Sequence, residues 1–274
     1  MMKGILKTLF THLILIIFTV IALFPFVWII TNSFKTRVQV FAIPPVWIFE
    51  PTFINYADLL LEGDFPLHIL NSCIITLASV SLALFLGVPA AYIFDRYRIK
   101  SRESMYFFIF TIRMGPAIAF AIPFYLICNT LGILDTHIAL VLIYQTFNLP
   151  FVIWMMRGFF QEVPSEIDEA ALIDGCSRMK AFFYVVLPLV KTGIFASAIL
   201  SVIFSWNEFF LASVITRSVA RTIPVDMPAF IGLTRIHWEK MCAAGSIAAI
   251  PVLFFALIVR KQLIRGLTLG SIKG

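Results

Sequence analysis

Six apolar stretches constrain the fold more than any other feature of the sequence. They run roughly from Leu9 to Ile30, Ile69 to Phe94, Met105 to Cys128, Thr136 to Met156, Pro188 to Ala212 and Cys242 to Val259. A helix needs about 20 such residues to cross the hydrocarbon core of a bilayer, and each stretch approaches or exceeds that length. Composition agrees. The 274 residues are 61% hydrophobic and 13% charged, against about 25% charged in a soluble domain. Too few charges exist to clothe a soluble fold of this size, so lipid must solvate much of the surface. The expected fold is all-α and polytopic, with six transmembrane helices.

Lys3 and Lys7 before the first apolar run resemble the start of a signal peptide, but the run is too long and no small-x-small cleavage site follows it. It is therefore expected to be a retained span. Cys73, Cys128, Cys176 and Cys242 are scattered without CxxC spacing, which argues against a disulfide framework or a zinc site. The net charge of +6 reads as a topology signal rather than a nucleic-acid footprint. With both termini on one side, fourteen lysines and arginines fall on that face and six on the other, with Arg113 inside a span. That bias places both termini in the cytoplasm. The discordant loop lies between spans five and six, where Arg217, Arg221, Arg235 and Lys240 fall outside.

Prolines interrupt several spans (Pro25, Pro89, Pro116, Pro123, Pro150, Pro251). Each frees a backbone carbonyl that neighbouring helices or cavity water must satisfy, so kinks are expected. No internal repeat or flexible linker appears. The chain reads as a single transmembrane domain over 1–274, with a core of about 67–263 and an extra N-terminal span over 9–32.

One loop, joining spans four and five on the inner face, has a pattern of its own. In Glu162–Gly175, Pro164 and Ser165 are helix-start residues, Asp168 follows Ser165 at capping-box spacing, and acids crowd the first turn. Gly175 supplies a stop, and Ser177 starts a second helix that re-enters the membrane at Pro188. Helix physics leaves two readings open: an amphipathic hairpin lying at the interface, or a docking element whose small Ala170, Ala171 and Gly175 admit a partner closely.

The spacing Glu169-Ala170-Ala171, three residues, Gly175, nine residues, Val185, one residue, Leu187-Pro188 resembles the EAA motif of ABC importer membrane subunits. Valine stands where isoleucine is usual, Cys176 where alanine often follows the glycine, and Thr192 where proline is frequent. Leu23-Phe24-Pro25 through Trp28 to Ser33-Phe34-Lys35, Ser205-Trp206-Asn207-Glu208-Phe209, and Arg265-Gly266-Leu267-Thr268 with Gly270 and Lys273-Gly274 are similar to stretches of the maltose-type carbohydrate permeases. The resemblance implies the type I importer membrane architecture and the second of two paired membrane subunits. It implies as partners a homologous permease, two ATPases and an extracytoplasmic solute-binding protein. It also implies that Glu166, Asp168, Glu169, Ala170, Ala171, Asp174 and Gly175 couple to an ATPase, with Glu169 near its basic groups and Gly175 making the turn. ATP and Mg are expected in those ATPase subunits and no cofactor in this chain, which has no GxxxxGK[ST] loop.

Asn207, Glu208 and Arg113, together with Asn148 and Gln145, are polar residues inside spans and hence candidates for the solute route. An internal Arg–Glu pair or a buried polar cap explains them equally well. The outer segment from Ser213 to Met241 reads either as a contact for the binding protein or as an interfacial helix anchored by Trp238. The four histidines lie far apart, and neither catalytic residues nor a metal-ligand cluster is expected. The rival class is a secondary transporter or channel subunit, which often shows related halves. The solute itself is not named by these residues.

Overall fold

The computed structural model describes residues 2–97, 99–232 and 236–269. Arg98, Arg235, Gly270, Lys273 and Gly274, which entered the charge count or the carboxyl-terminal likeness, lie outside them. Among the described residues the secondary structure is helical, apart from one isolated bridge between Ile231 and Ile236. Lipid offers the backbone no hydrogen bonds, so each spanning segment must satisfy its own. Among the described residues, three helices are long and apolar enough to span by themselves and three more candidates are bent pairs, making six if each pair is one span.

The chain folds as two compact units. One takes the N-terminal region up to Pro66 together with Asp226–Ile250, and the other takes Leu67–Val225 and the chain from Pro251 on. In the first, α1 (Met2–Ser33) is a 32-residue helix with Pro25 inside it. Every residue from Thr8 to Val27 is exposed, as lipid-facing side chains must be. The helix ends in a polar knot. Lys35 is only 2% exposed; its Nζ donates to Asn32 Oδ1 at 3.0 Å and sits about 5 Å from the rings of Trp28 and Phe49. Asn55 Nδ2 donates to the carbonyls of Ser33 and Lys35 at 2.8 and 2.9 Å. The Ser33-Phe34-Lys35 likeness thus marks a buried cation held by aromatic faces.

The second unit begins with α2 (Phe65–Arg96), which runs unbroken through Pro89. The third apolar stretch is not one helix: α3 (Arg102–Met114) and α4 (Ala117–Thr130) meet at 92°. Gly115-Pro116 makes the break. Proline lacks an N–H and drives the residue before it out of the helical region, and a Cβ on Gly115 would lie 2.6 Å from the Phe120 ring. The fourth stretch divides into α5 (His137–Ile143) and α6 (Gln145–Gln161), bent by 41°. A short helix α7 (Ser165–Ile173) follows. The fifth stretch is bent as well. The segment α8 (Arg178–Leu189), with a wide π-helical turn over Ala181–Val186, meets α9 (Lys191–Trp206) at 75°. The helix then stops at Trp206 and restarts as α10 (Phe210–Ile215). The last helix, α11 (Trp238–Leu269), contains Pro251. Of the six span prolines, only Pro116 stands at a break.

Two clusters form the core of the second unit. Tyr92, Phe94, Met156, Phe160, Phe182 and Val186 fill one; Ile75, Leu140, Tyr144, Leu211 and Ile215 fill the other. Small residues bring helix backbones together. A Cβ on Gly87 of α2 would fall 2.7 Å from Val152 Cγ1 on α6, and one on Gly193 of α9 would clash with the Phe159 ring on α6. The turn after α4 carries Asp135, whose carboxylate accepts from the N–H groups of Arg217, Ser218, Val219 and Ala220 at 2.9 to 3.1 Å. Asn71 secures the same loop through the carbonyls of Val219 and Arg221 and is itself bonded to His137.

Candidate functional site

Helix α7 and the turn after it carry the sequence-predicted coupling residues. Pro164 precedes the helix without a side-chain cap, so the expected Ser165–Asp168 capping box does not form. Asp168 is instead 9% exposed and turned inward. The C-terminal end follows expectation closely. Gly175 has φ +84°, its N–H donates to Leu172 O, and the Cys176 N–H reaches Ala171 O at 3.0 Å. These are the two bonds of a Schellman motif, which places its glycine in the left-handed region. Ser177 then caps the next helix by accepting from the Lys180 N–H.

The helix has two faces. Glu166, Glu169, Ala170 and Ile173, spaced i, i+3, i+4 and i+7, are exposed, as are Asp174 and Gly175 beyond them. Ile173 is 86% exposed, and Leu172 beside it and Met179, Phe183 and Tyr184 on α8 are exposed as well. Asp168 and Ala171, included in the expected coupling set, are buried on the other face. They join α7 to its own chain rather than offering surface to a partner. The contacts of Asp168 went unread in the sequence: Tyr92 Oη donates to it at 2.6 Å and Arg96 Nε at 2.8 Å. Arg96, in the sequence, is one of the fourteen basic residues assigned to the cytoplasmic face.

The solute candidates divide. Arg113, Asn207 and Glu208 line one cavity of about 420 Å³ with Phe120, Thr146 and Phe204, within the size range of small-molecule sites. Arg113 donates to Phe147 O at 2.5 Å and lies 4.9 and 4.7 Å from the rings of Phe151 and Phe204. Aromatic faces and a carbonyl hold it, rather than the Arg–Glu pair offered as an explanation. Asn207 and Glu208 sit at the break after α9, not within a continuous span. Asn207 Nδ2 donates back to Ile203 O, and Glu208 Oε1 accepts from the Leu211 N–H at 2.7 Å, placing a carboxylate at the start of α10 where the helix dipole favours it. Gln145 and Asn148 do not line this cavity. Gln145 donates to Ser79 O and Val141 O. Asn148 is fully buried and donates to Ser205 Oγ at 2.7 Å. Both tie helices together, because a polar side chain buried in such a bundle takes the nearest acceptor. Among the described residues no cluster of three metal-binding side chains exists.

Residues 83–268 match the family model described as the binding-protein-dependent transport system inner membrane component. The probable ABC transporter permease protein y4oR of Sinorhizobium fredii is 37% identical, over 99% of this chain and 96% of its own. The trehalose/maltose transport system permease protein MalG of Thermococcus litoralis is 34% identical over the whole of both chains. A crystal structure of a bacterial ABC transporter involved in importing the acidic polysaccharide alginate aligns with a TM-score of 0.77 and 26% identity, over 94% of this chain and 97% of that one. With the exposed EAA helix and the bent spans, these matches make the chain a member of the binding-protein-dependent transport family, an inner-membrane permease subunit of an ABC importer and not an enzyme.

Proposed function

We propose that this chain is one of two paired permease subunits that carry a carbohydrate or polyol-like solute into the cytoplasm by alternating access. An extracytoplasmic binding protein delivers the solute, a homologous permease completes the pathway, and two ATPase subunits hold ATP and Mg while this chain holds no cofactor. The observation that carries the reading is the exposed face of α7. Glu166, Glu169 and Asp174 surround an apolar tip of Ile173 and Leu172, a surface of the right chemistry for a groove with basic walls. Both termini then lie in the cytoplasm, the side that the lysine and arginine bias favours.

The cavity supports the solute class through its chemistry. Asn207, Thr146, Arg113 and Glu208 offer hydrogen-bond donors and acceptors, and Phe120 and Phe204 add aromatic rings to the lining. Hydroxyl-rich rings use both. The relatives named for trehalose/maltose and alginate transport point the same way. Gly175→Asp puts a Cβ and a charge where φ is +84°, so the ATPase subunit should no longer copurify in normal ratio. Retention of the ATPase in the purified Gly175→Asp complex would refute the docking role. For the solute, a thermal-shift screen of the cognate binding protein should find a sugar or polyol, and a hit confined to amino acids or peptides would remove the carbohydrate class.

A further inference from the structure

Asp168 faces away from the docking surface, and its contacts carry an inference that rests on α7 being that surface. The last turn of α2 grips α7 at two points. Arg96 donates through Nε to Asp168 Oδ2 at 2.8 Å and through Nη2 to Val163 O, just before α7 begins, at 2.6 Å. Its Nη1 is fixed by the neighbouring Asp95 at 2.6 Å. Tyr92 Oη, one turn earlier, takes the other Asp168 oxygen at 2.6 Å. Charge-assisted bonds of this kind are about twice as strong as neutral ones, and the side chains of Arg96 and Asp168 are each only 12% exposed.

Two covalent routes lead from α7 toward the cavity. One crosses the link over residues 162–164 into α6, whose far end carries the cavity-lining Thr146 and Phe147. The other, through α8, is full of joints. It passes the Gly175 turn, the π-helical turn at Ala181–Val186 and the 75° break at Val190. The clasp adds a route of its own. From Arg96 back to Phe65, α2 is one helix. It meets α6 so closely at Gly87 that a Cβ would clash with Val152. Asn148 of α6 then bonds Ser205 of α9, between the cavity-lining Phe204 and Asn207.

We propose that Asp168 is a positioning residue for coupling: its clasp on Tyr92 and Arg96 makes α2 move with α7, so that displacement of the docked helix reaches the cavity wall through α2. The test uses the assembled transporter with its partner subunits and this chain's four cysteines replaced by serine. A reporter cysteine at Thr146→Cys lines the cavity. Its rate of reaction with a small methanethiosulfonate reagent is read without nucleotide and after trapping with ATP, Mg and vanadate. Trapping should change the parent rate, and Asp168→Asn should shrink that change about tenfold while the ATPase subunit still copurifies and still traps nucleotide. Tyr92→Phe, which removes one oxygen, should shrink it less, and Asp168→Arg with Arg96→Asp should recover part of it.

A parent rate unmoved by trapping, or a full change in Asp168→Asn, overturns the proposal. If Asp168→Asn does not assemble, a full change in Tyr92→Phe overturns it in the same way. Failure of the docking reading looks different: Gly175→Asp then keeps its ATPase. Failure of the clasp leaves docking sensitive to Gly175 and the cavity indifferent to Asp168.

Discussion

Asp135 shows what one side chain can organise and why such a residue is invisible in a linear reading. It sits at φ +58°, a conformation that aspartate and asparagine tolerate better than most residues, and its carboxylate collects the loop 82 to 85 residues further on. No local pattern announces a contact at that separation, and the same holds for Asn71 and His137. The short helix α7 and its Gly175 turn were legible because a helix stop and a spacing are local properties. Burial opposes ionisation of Asp135, but the backbone N–H groups of Arg217, Val219, Ser218 and Ala220 outweigh it and hold its carboxyl well below the usual carboxylate range. A depressed folded-state value means that the ion contributes stability above the unfolded value near 4 and loses it as pH falls toward the lower one. Asp135→Asn keeps the backbone preference and removes the charge. Amide exchange at Ser218, Val219 and Ala220 should therefore speed up about tenfold or more in the variant at neutral pH, given the worth of bonds to a charged acceptor. Acid should loosen this loop in the parent below about pH 4, and the variant should lack that acid step. Equal exchange in both proteins at pH 7 would show that the carboxylate does not hold the loop.

At the scale of elements, length and polarity located the spans, whereas breaks depended on tertiary contacts that propensity does not report. Pro25, Pro89, Pro123, Pro150 and Pro251 all lie inside helices, because neighbouring groups can satisfy the freed carbonyls. Gly115-Pro116 breaks its span where a glycine is also needed to clear Phe120. The stop at Trp206 was hidden in an apolar stretch because side chains of Asn207 and Glu208 replace the missing backbone bonds. Packing between α6 and α9 gives a sharp contrast between two glycines. Gly193 presses on Phe159, while a Cβ on Gly158 meets nothing within 4 Å. Gly193→Val overpacks the contact at a cost of about 1–3 kcal/mol and should lower the melting temperature of the detergent-solubilised chain by about 5 °C. Adding Phe159→Ala should return part of the loss. Gly158→Ala should be neutral or raise the melting temperature, since alanine is the better helix former. Equal melting of the Gly193→Val and Gly158→Ala chains would mean that close approach at Gly193 does not stabilise the pair.

For the whole molecule, the question is which way the spans run, and the structure clarifies the loop that fitted worst. Six basic residues fall on the proposed outer face, but several of them are occupied locally. Lys35 is buried against Asn32, Trp28 and Phe49, Lys240 pairs with Asp58 at 2.7 Å, and Arg221 donates to Val225 O. A cation with such a structural reason to be where it is says less about topology than one in a free loop; Arg96 and Arg157 among the fourteen are held in the same way, and discounting both groups leaves the excess on the same side. The bias on the proposed cytoplasmic face is carried by short loops next to span ends, where basic residues act most strongly. A fluorescent protein fused after Gly274 should therefore fold and fluoresce, and alkaline phosphatase at the same point should be inactive. Truncation and fusion after Ser218 should give the reverse pair. An active phosphatase at the carboxyl terminus would place α7 on the wrong side of the membrane for an ATPase, and the orientation and the coupling reading would fall together.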